Sequence, residues 1–88
     1  MSGSVRYTVR LKPSADRALG KLSRELQGRI LAKLDQLAEN PHLLGAEKLH
    51  GELGYRVRGG GYRIVYDILH EEVVILVIRI GHRREVYR

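Results

Sequence analysis

Three consecutive glycines between two basic, tyrosine-flanked segments constrain this chain more than any other feature. Residues 55–66 read YRVRGGGYRIVY. Gly60-Gly61 suits a two-residue hairpin turn, because positive φ costs glycine nothing sterically. Placing the turn there sets a register. Gly59 faces Tyr62, Arg58 faces Arg63, Val57 faces Ile64, Arg56 faces Val65 and Tyr55 faces Tyr66. Strand side chains alternate with period two. One face then carries Tyr55, Val57, Ile64 and Tyr66, and the other carries Arg56, Arg58, Arg63 and Val65. A three-residue turn would mix apolar and basic groups on both faces, so the two-residue turn is the expected one.

This register sets Arg58 across from Arg63, and like charges directly opposed destabilise a hairpin. No acidic residue is interleaved within the segment. Two readings fit: a bound anion such as phosphate, or arginines that lay their stems on a solvated face.

The rest of the chain supplies a scaffold for this hairpin. Residues 5–11 alternate Val5, Tyr7, Val9 and Leu11 with Arg6, Thr8 and Arg10, which predicts a half-buried strand whose outer face is solvated. Pro13 and Ser14 open a helix, proline at the first turn and serine as its cap. Ala15, Ala18, Leu19 and Leu22 follow at helical spacing, with Asp16 in the first turn. Ser23 caps a second helix with the stripe Leu26, Ile30, Leu34 and Leu37, widened by Leu31 and Ala38, and Asn40-Pro41 ends it. The exposed Arg24, Arg29, Lys33 and Asp35 read as solubilising.

Residues 42–53 read as a loop holding His42 and His50. No third ligand stands at a suitable spacing, so neither a metal site nor a cofactor is expected. Lys48 and His50 are this loop's candidates for contact with a nucleic-acid backbone. A strand over 62–69 follows the glycines. A two-residue turn at His70-Glu71 pairs Leu69 with Glu72, Asp67 with Val74 and Val65 with Leu76. Residues 73–80 are apolar on both faces, as in a central strand. Ile64, Tyr66 and Ile68 share the helix-covered face with Val73, Ile75 and Val77, while Arg63, Val65, Leu76 and Ile78 lie on the open face. Gly81 breaks the strand. The expected fold is α+β, one domain spanning 1–88. It is a small, mainly antiparallel sheet in the order β-α-α-β-β-β, with an N-terminal two-helix hairpin on one face.

Charge narrows the partners. Sixteen Lys and Arg against ten Asp and Glu give +6, which favours nucleic acid or an acidic protein. With no cysteine, disulfides and thiolate metal sites are excluded. The N-terminus lacks an apolar signal core, and the longest apolar run, 73–78, is too short for a bilayer. The expectation is a soluble cytoplasmic protein without membrane contact. The glycine triplet is not a phosphate loop, since no Gly-Lys-Ser/Thr follows it. No serine has the context of a nucleophile.

Several arginines and a C-terminal tyrosine fit phosphate recognition, and also metal-free RNA cleavage. In that reaction the ribose 2′-hydroxyl attacks its own phosphate, leaving a 2′,3′-cyclic phosphate and a 5′-hydroxyl. It needs a proton acceptor, a donor to the leaving 5′-oxygen, and positive charge on the phosphate. Arginine's planar fork suits the last role.

The segments YRVRGGGYRIVYDI and VVILVIRIGHRREVYR resemble the RelE-type toxins of bacterial toxin–antitoxin modules, within the RelE/ParE superfamily. The resemblance covers nearly the whole chain. It implies a toxin that enters the A site of the 70S ribosome and cuts the messenger there by the 2′-hydroxyl route. By position, Arg56 and Arg58 match two basic residues, often lysines, that contact the messenger backbone. Arg63 matches the arginine that binds the scissile phosphate. Arg83 matches a charge-stabilising residue, and Tyr87 the tyrosine proposed to activate the 2′-hydroxyl. Arginine stands here where lysine is frequent, the segment between Arg83 and Tyr87 is shorter than in some members, and some members continue beyond the position of Arg88. Some relatives use a Glu/His pair, for which His82 is the nearest histidine. The implied partners are a RelB-like cognate antitoxin, the ribosome with its messenger, and operator DNA only through the antitoxin complex. Two alternatives share the fold: a ParE-type inhibitor of DNA gyrase, and a catalytically silent member that only binds its antitoxin.

Overall fold

The computed structural model describes residues 6–42, 45–49 and 54–82. Val5, His50, Arg83 and Tyr87 lie outside them. The elements run β1 (Thr8–Leu11), α1 (Pro13–Gly20), α2 (Arg24–Glu39), β2 (Glu47–Lys48), β3 (Tyr55–Gly59), β4 (Tyr62–Leu69) and β5 (Val74–His82). The five strands form one sheet in the order β1-β5-β4-β3-β2. All neighbours are antiparallel except β1 and β5, which run parallel. The expected α+β architecture is present, with one strand more than the sequence suggested.

Local chemistry explains the helices. Pro13 occupies the first turn of α1, where its missing N–H leaves no bond unmade. Its cap is Lys12, without a side-chain bond. Ser14 therefore does not cap; it already lies inside the first turn. Ser23 does cap α2, its hydroxyl accepting from the Leu26 N–H at 3.2 Å. Asn40 ends that helix in extended backbone, as the following proline requires.

Both helices cover one face of the sheet. Ala15, Ile30, Leu34 and Leu37 meet Val57, Ile64, Tyr66, Ile68, Ile75, Val77 and Ile80 in one core. Full burial of each large apolar side chain contributes about 1.5–3 kcal/mol. Leu31, counted in the α2 stripe, instead lies 53% exposed. It sits on the flank of that stripe, at the rim of an open groove with Tyr7, Val9 and Leu34.

The β4–β5 connection differs from expectation. Leu69 pairs with Val74 and Asp67 with Leu76, so the turn spans four residues, closed by the Val73 N–H on the His70 carbonyl at 3.3 Å. A two-residue turn would ask His70 and Glu71 to take the unusual conformations that glycine and asparagine favour. The longer turn confines positive φ to Val73, at 57°. A β-branched side chain is poorly suited to that region. Val73→Asn is expected to stabilise the fold by about 0.5–1 kcal/mol, since asparagine tolerates left-handed backbone. Thermal unfolding would show a melting temperature raised by about 2–8 °C. A fall would mean that the half-buried valine side chain outweighs the backbone strain.

Two further corrections concern β5. Gly81 does not end the strand: it pairs with Arg63, and the ladder continues to His82 opposite Tyr62. Glycine in a strand costs stability but does not prevent pairing. A β-bulge between Val65 and Tyr66 also shifts the register, pairing Tyr66 with Val77 but Val65 with Arg79. Ile78 is the extra residue, and Arg79, not the expected Leu76, stands opposite Val65.

Candidate nucleic-acid interface

The glycine hairpin has the register that its alternation demands, from Gly59 opposite Tyr62 to Tyr55 opposite Tyr66. Of the two turn glycines only Gly61 takes positive φ, at 85°. Two contacts fix the hairpin to the scaffold. Arg29 of α2, paired with Glu25 at 2.9 Å, also donates to the Gly60 carbonyl at 3.4 Å. The Tyr62 ring packs directly over Gly59, so close that a β-carbon there would lie 2.2 Å from it.

This anchoring presents Arg56, Arg58 and Arg63 on the face that the helices leave open. Arg58 is exposed, while Arg56 and Arg63 are half-buried. Arg58 stands directly opposite Arg63, with β-carbons about 5 Å apart in such pairs. On its other side Arg63 meets Gly81, so the β5 residue directly opposite it carries no side chain.

The open face is not free of acid, as the hairpin segment by itself had suggested. Residues 42–53 include a short strand, β2, and Glu47 pairs with Arg56 in its ladder. Arg56 Nη2 donates to Glu47 Oε1 at 2.8 Å. That hydrogen bond and the charge of Arg56 hold the Glu47 carboxyl below the usual carboxylate range, with further contributions from Arg58 and Arg63. All three arginines therefore act on one carboxylate. Arg56 Nε is buried and finds no partner among the described residues, so its fork keeps a donor unused.

Since Glu47 is ionised more readily in the fold, its pair with Arg56 favours folding fully above its ordinary value of 4.5. The contribution is lost as pH falls through the lower folded value. The pair is exposed on the carboxylate side and is worth little at neutral pH. Glu47→Gln is expected to leave the melting temperature at pH 7 almost unchanged. The small difference from wild type vanishes in acid. The same variant should bind single-stranded RNA roughly two- to five-fold more tightly, by removing a charge that competes with phosphate. Weaker binding in a titration would show that the carboxylate positions Arg56 instead.

Lys48 does not join the arginines. It pairs with Tyr55, whose ring stacks on Tyr66 at 5.7 Å, so alternation sets Lys48 on the opposite face from Arg56. His82 likewise pairs with the buried Tyr62, on the helix-covered side. Neither tyrosine of β4 suits proton abstraction. Burial pushes the Tyr66 hydroxyl up to about 12, and it donates to the Pro41 carbonyl at 2.8 Å. Burial also raises Tyr62, which the charge of Arg29 partly offsets. Arg83 and Tyr87, which the resemblance assigns to the chemistry, lie outside the described residues.

Two residues of this face escaped the sequence. Glu47 belongs to a two-residue strand, too short for any periodicity to mark. Arg79 follows an apolar run whose phase the bulge changes.

Comparison with known proteins agrees with this fold. The family model for the ParE toxin of the type II toxin–antitoxin system parDE matches residues 9–87. Toxin RelG of Mycobacterium tuberculosis is 32% identical over 85 residues, covering 93% of this chain and 97% of its own. The mRNA interferase toxin RelE of Escherichia coli K12 is 38% identical over 72 residues, covering 76% and 75%. Among solved structures, a RelBE-type toxin–antitoxin complex of M. tuberculosis matches with a TM-score of 0.82 at 30% identity, over 90% of this chain and 93% of that one. With the arginine hairpin, the helix-covered sheet and these relatives together, the chain belongs to the RelE/ParE superfamily, as a RelE-type toxin of a type II toxin–antitoxin module.

Proposed function

We propose that this toxin inhibits translation by cutting messenger RNA in the ribosomal A site without a metal. The arginine face carries the reading: Arg56, Arg58 and Arg63 converge on an open sheet face where Arg58 and Arg63 repel one another. Three cations gathered around a single carboxylate, with a donor of the Arg56 fork unused, suit a phosphodiester. Arg63 holds the scissile phosphate through its planar fork, while Arg56 and Arg58 grip the backbone. The 2′-oxygen forms a bond to phosphorus as the bond to the 5′-oxygen breaks. Tyr87, which surrounding cations favour as the phenolate, takes the 2′-proton, and Arg83 stabilises the charge on the leaving 5′-oxygen, which takes a proton from water. Such a site is a modest catalyst by itself and gains from a ribosome that pre-positions the messenger.

A cognate antitoxin of the RelB type completes the assignment. Structures of RelE toxins with RelB-type antitoxins are among the relatives. The +6 charge of this chain calls for an acidic or amphipathic segment over the basic face. The match to a ParE family model favours one second reading, inhibition of DNA gyrase.

Primer extension on messenger bound to programmed ribosomes, run beside a gyrase supercoiling assay, separates the two. A-site cuts with gyrase untouched are expected. Intact messenger with inhibited gyrase would establish the second reading.

A further inference from the structure

The β-bulge of β5 decides which residues of that strand face the core and which face outward. Continued without it, the ladder that pairs Tyr66 with Val77 would set Val65 against Ile78 and Ile64 against Arg79. Arg79 would then point into the helix-covered face, among residues such as Ile30 and Leu37, where an unpaired charge is very costly. Ile80 would point outward. The extra residue reverses both. Ile80 is buried opposite Ile64, and Arg79 is exposed opposite Val65. Bulges near functional sites commonly re-aim a side chain in this way.

The new position is specific. One row of the sheet reads Glu47, Arg56, Val65, Arg79 across four strands. Arg56 and Arg79 thus flank Val65 on the open face, about two strand spacings or 10 Å apart along the hydrogen-bonding direction. Glu47 occupies Arg56, whereas Arg79 makes no ion pair among the described residues. A solvated lysine, glutamine or threonine would serve the fold equally well there.

We infer that Arg79 is a further RNA-binding residue. It extends the phosphate-gripping track of Arg56, Arg58 and Arg63 across β5, and the bulge is the device that puts it there. The inference rests on the RNA-cutting reading, and gives that site a second row of contacts to the messenger backbone beyond the scissile phosphate. A residue that binds backbone at a distance from the reaction raises affinity without changing the chemical step.

The test uses Arg79→Gln and Arg79→Lys in single-turnover cleavage on programmed ribosomes, with thermal melting as the check on folding. Arg79→Gln is expected to raise the toxin concentration for half-maximal cleavage by roughly five- to ten-fold. The rate at saturation stays within about two-fold. The logarithmic salt dependence of RNA binding should fall by roughly 0.7 to 1, the loss of one phosphate contact. Arg79→Lys should restore most of both. An Arg79→Gln variant with wild-type half-saturation and salt slope, on ribosomes where wild type cuts and Arg63→Ala does not, overturns this inference and leaves the RNA-cutting reading intact. A wild-type protein that never cuts messenger overturns both.

Discussion

Arg63→Ala is expected to slow single-turnover cleavage of ribosome-bound messenger by about 10²–10³-fold, the usual loss when one preorganised charge-stabilising donor is removed. The same substitution should not harm the fold. Arg63 is half-buried on the open face, directly across from Arg58. Removing it relieves a like-charge pair, which is worth roughly 0.2–1 kcal/mol in a hairpin. Activity should therefore fall by far more than stability changes. Arg63→Lys should recover only part of the rate, because an ammonium offers a point charge and cannot form two parallel hydrogen bonds to phosphate. A stable Arg63→Ala protein that cuts at the wild-type rate would remove Arg63 from the site. A melting temperature lowered by ten degrees or more would make its role structural.

Gly59→Ala should have the largest effect on stability. A β-carbon at position 59 would lie 2.2–2.4 Å from two ring carbons and the hydroxyl oxygen of Tyr62, and Tyr62 is only 4% exposed. The ring cannot swing aside without leaving the core, and the backbone cannot retreat without breaking the pairing of Gly59 with Tyr62. Overpacking of this kind costs about 1–3 kcal/mol, so the melting temperature should fall by roughly 5–20 °C. The demand is for space, since Gly59 does not take positive φ. Pairing Gly59→Ala with Tyr62→Ala checks the cause. The two losses should sum to more than the double variant shows, because the second change removes the atoms that the first one strikes. Additive losses would place the damage elsewhere.

The hairpin and both helices were legible because each carries a local signal tied to a burial pattern. Gly60-Gly61 admits a tight turn, and only one register separates Val57, Ile64 and Tyr66 from the arginines. Ser23 and Asn40-Pro41 bracket α2 by hydrogen-bonding and steric rules that need no tertiary context. The features that were missed lack such signals. Residues 73–80 are apolar on both faces, so alternation could not reveal that Ile78 is supernumerary or that Val74, not Glu72, faces Leu69. β2 exists only through its pairing with β3, and Glu47 acquires its place beside Arg56 from that pairing. The arginine face could therefore be drawn from sequence for the hairpin alone. Its acidic neighbour and its extension at Arg79 depend on strands distant in the chain.

The parallel contact between β1 and β5 bears on how the toxin comes into being. Thr8 bonds beside Val73 and Val74, so the earliest described strand is held by the latest. During synthesis β1 can pack on the helices but has no strand to pair with until nearly all described residues have been made, and closing so long a loop is slow compared with forming the helices or the hairpin. The row that joins Arg56 to Arg79 also waits for β5. A chain in which β5 has not yet docked therefore carries the hairpin's three arginines but neither the completed row nor a sheet partner for β1.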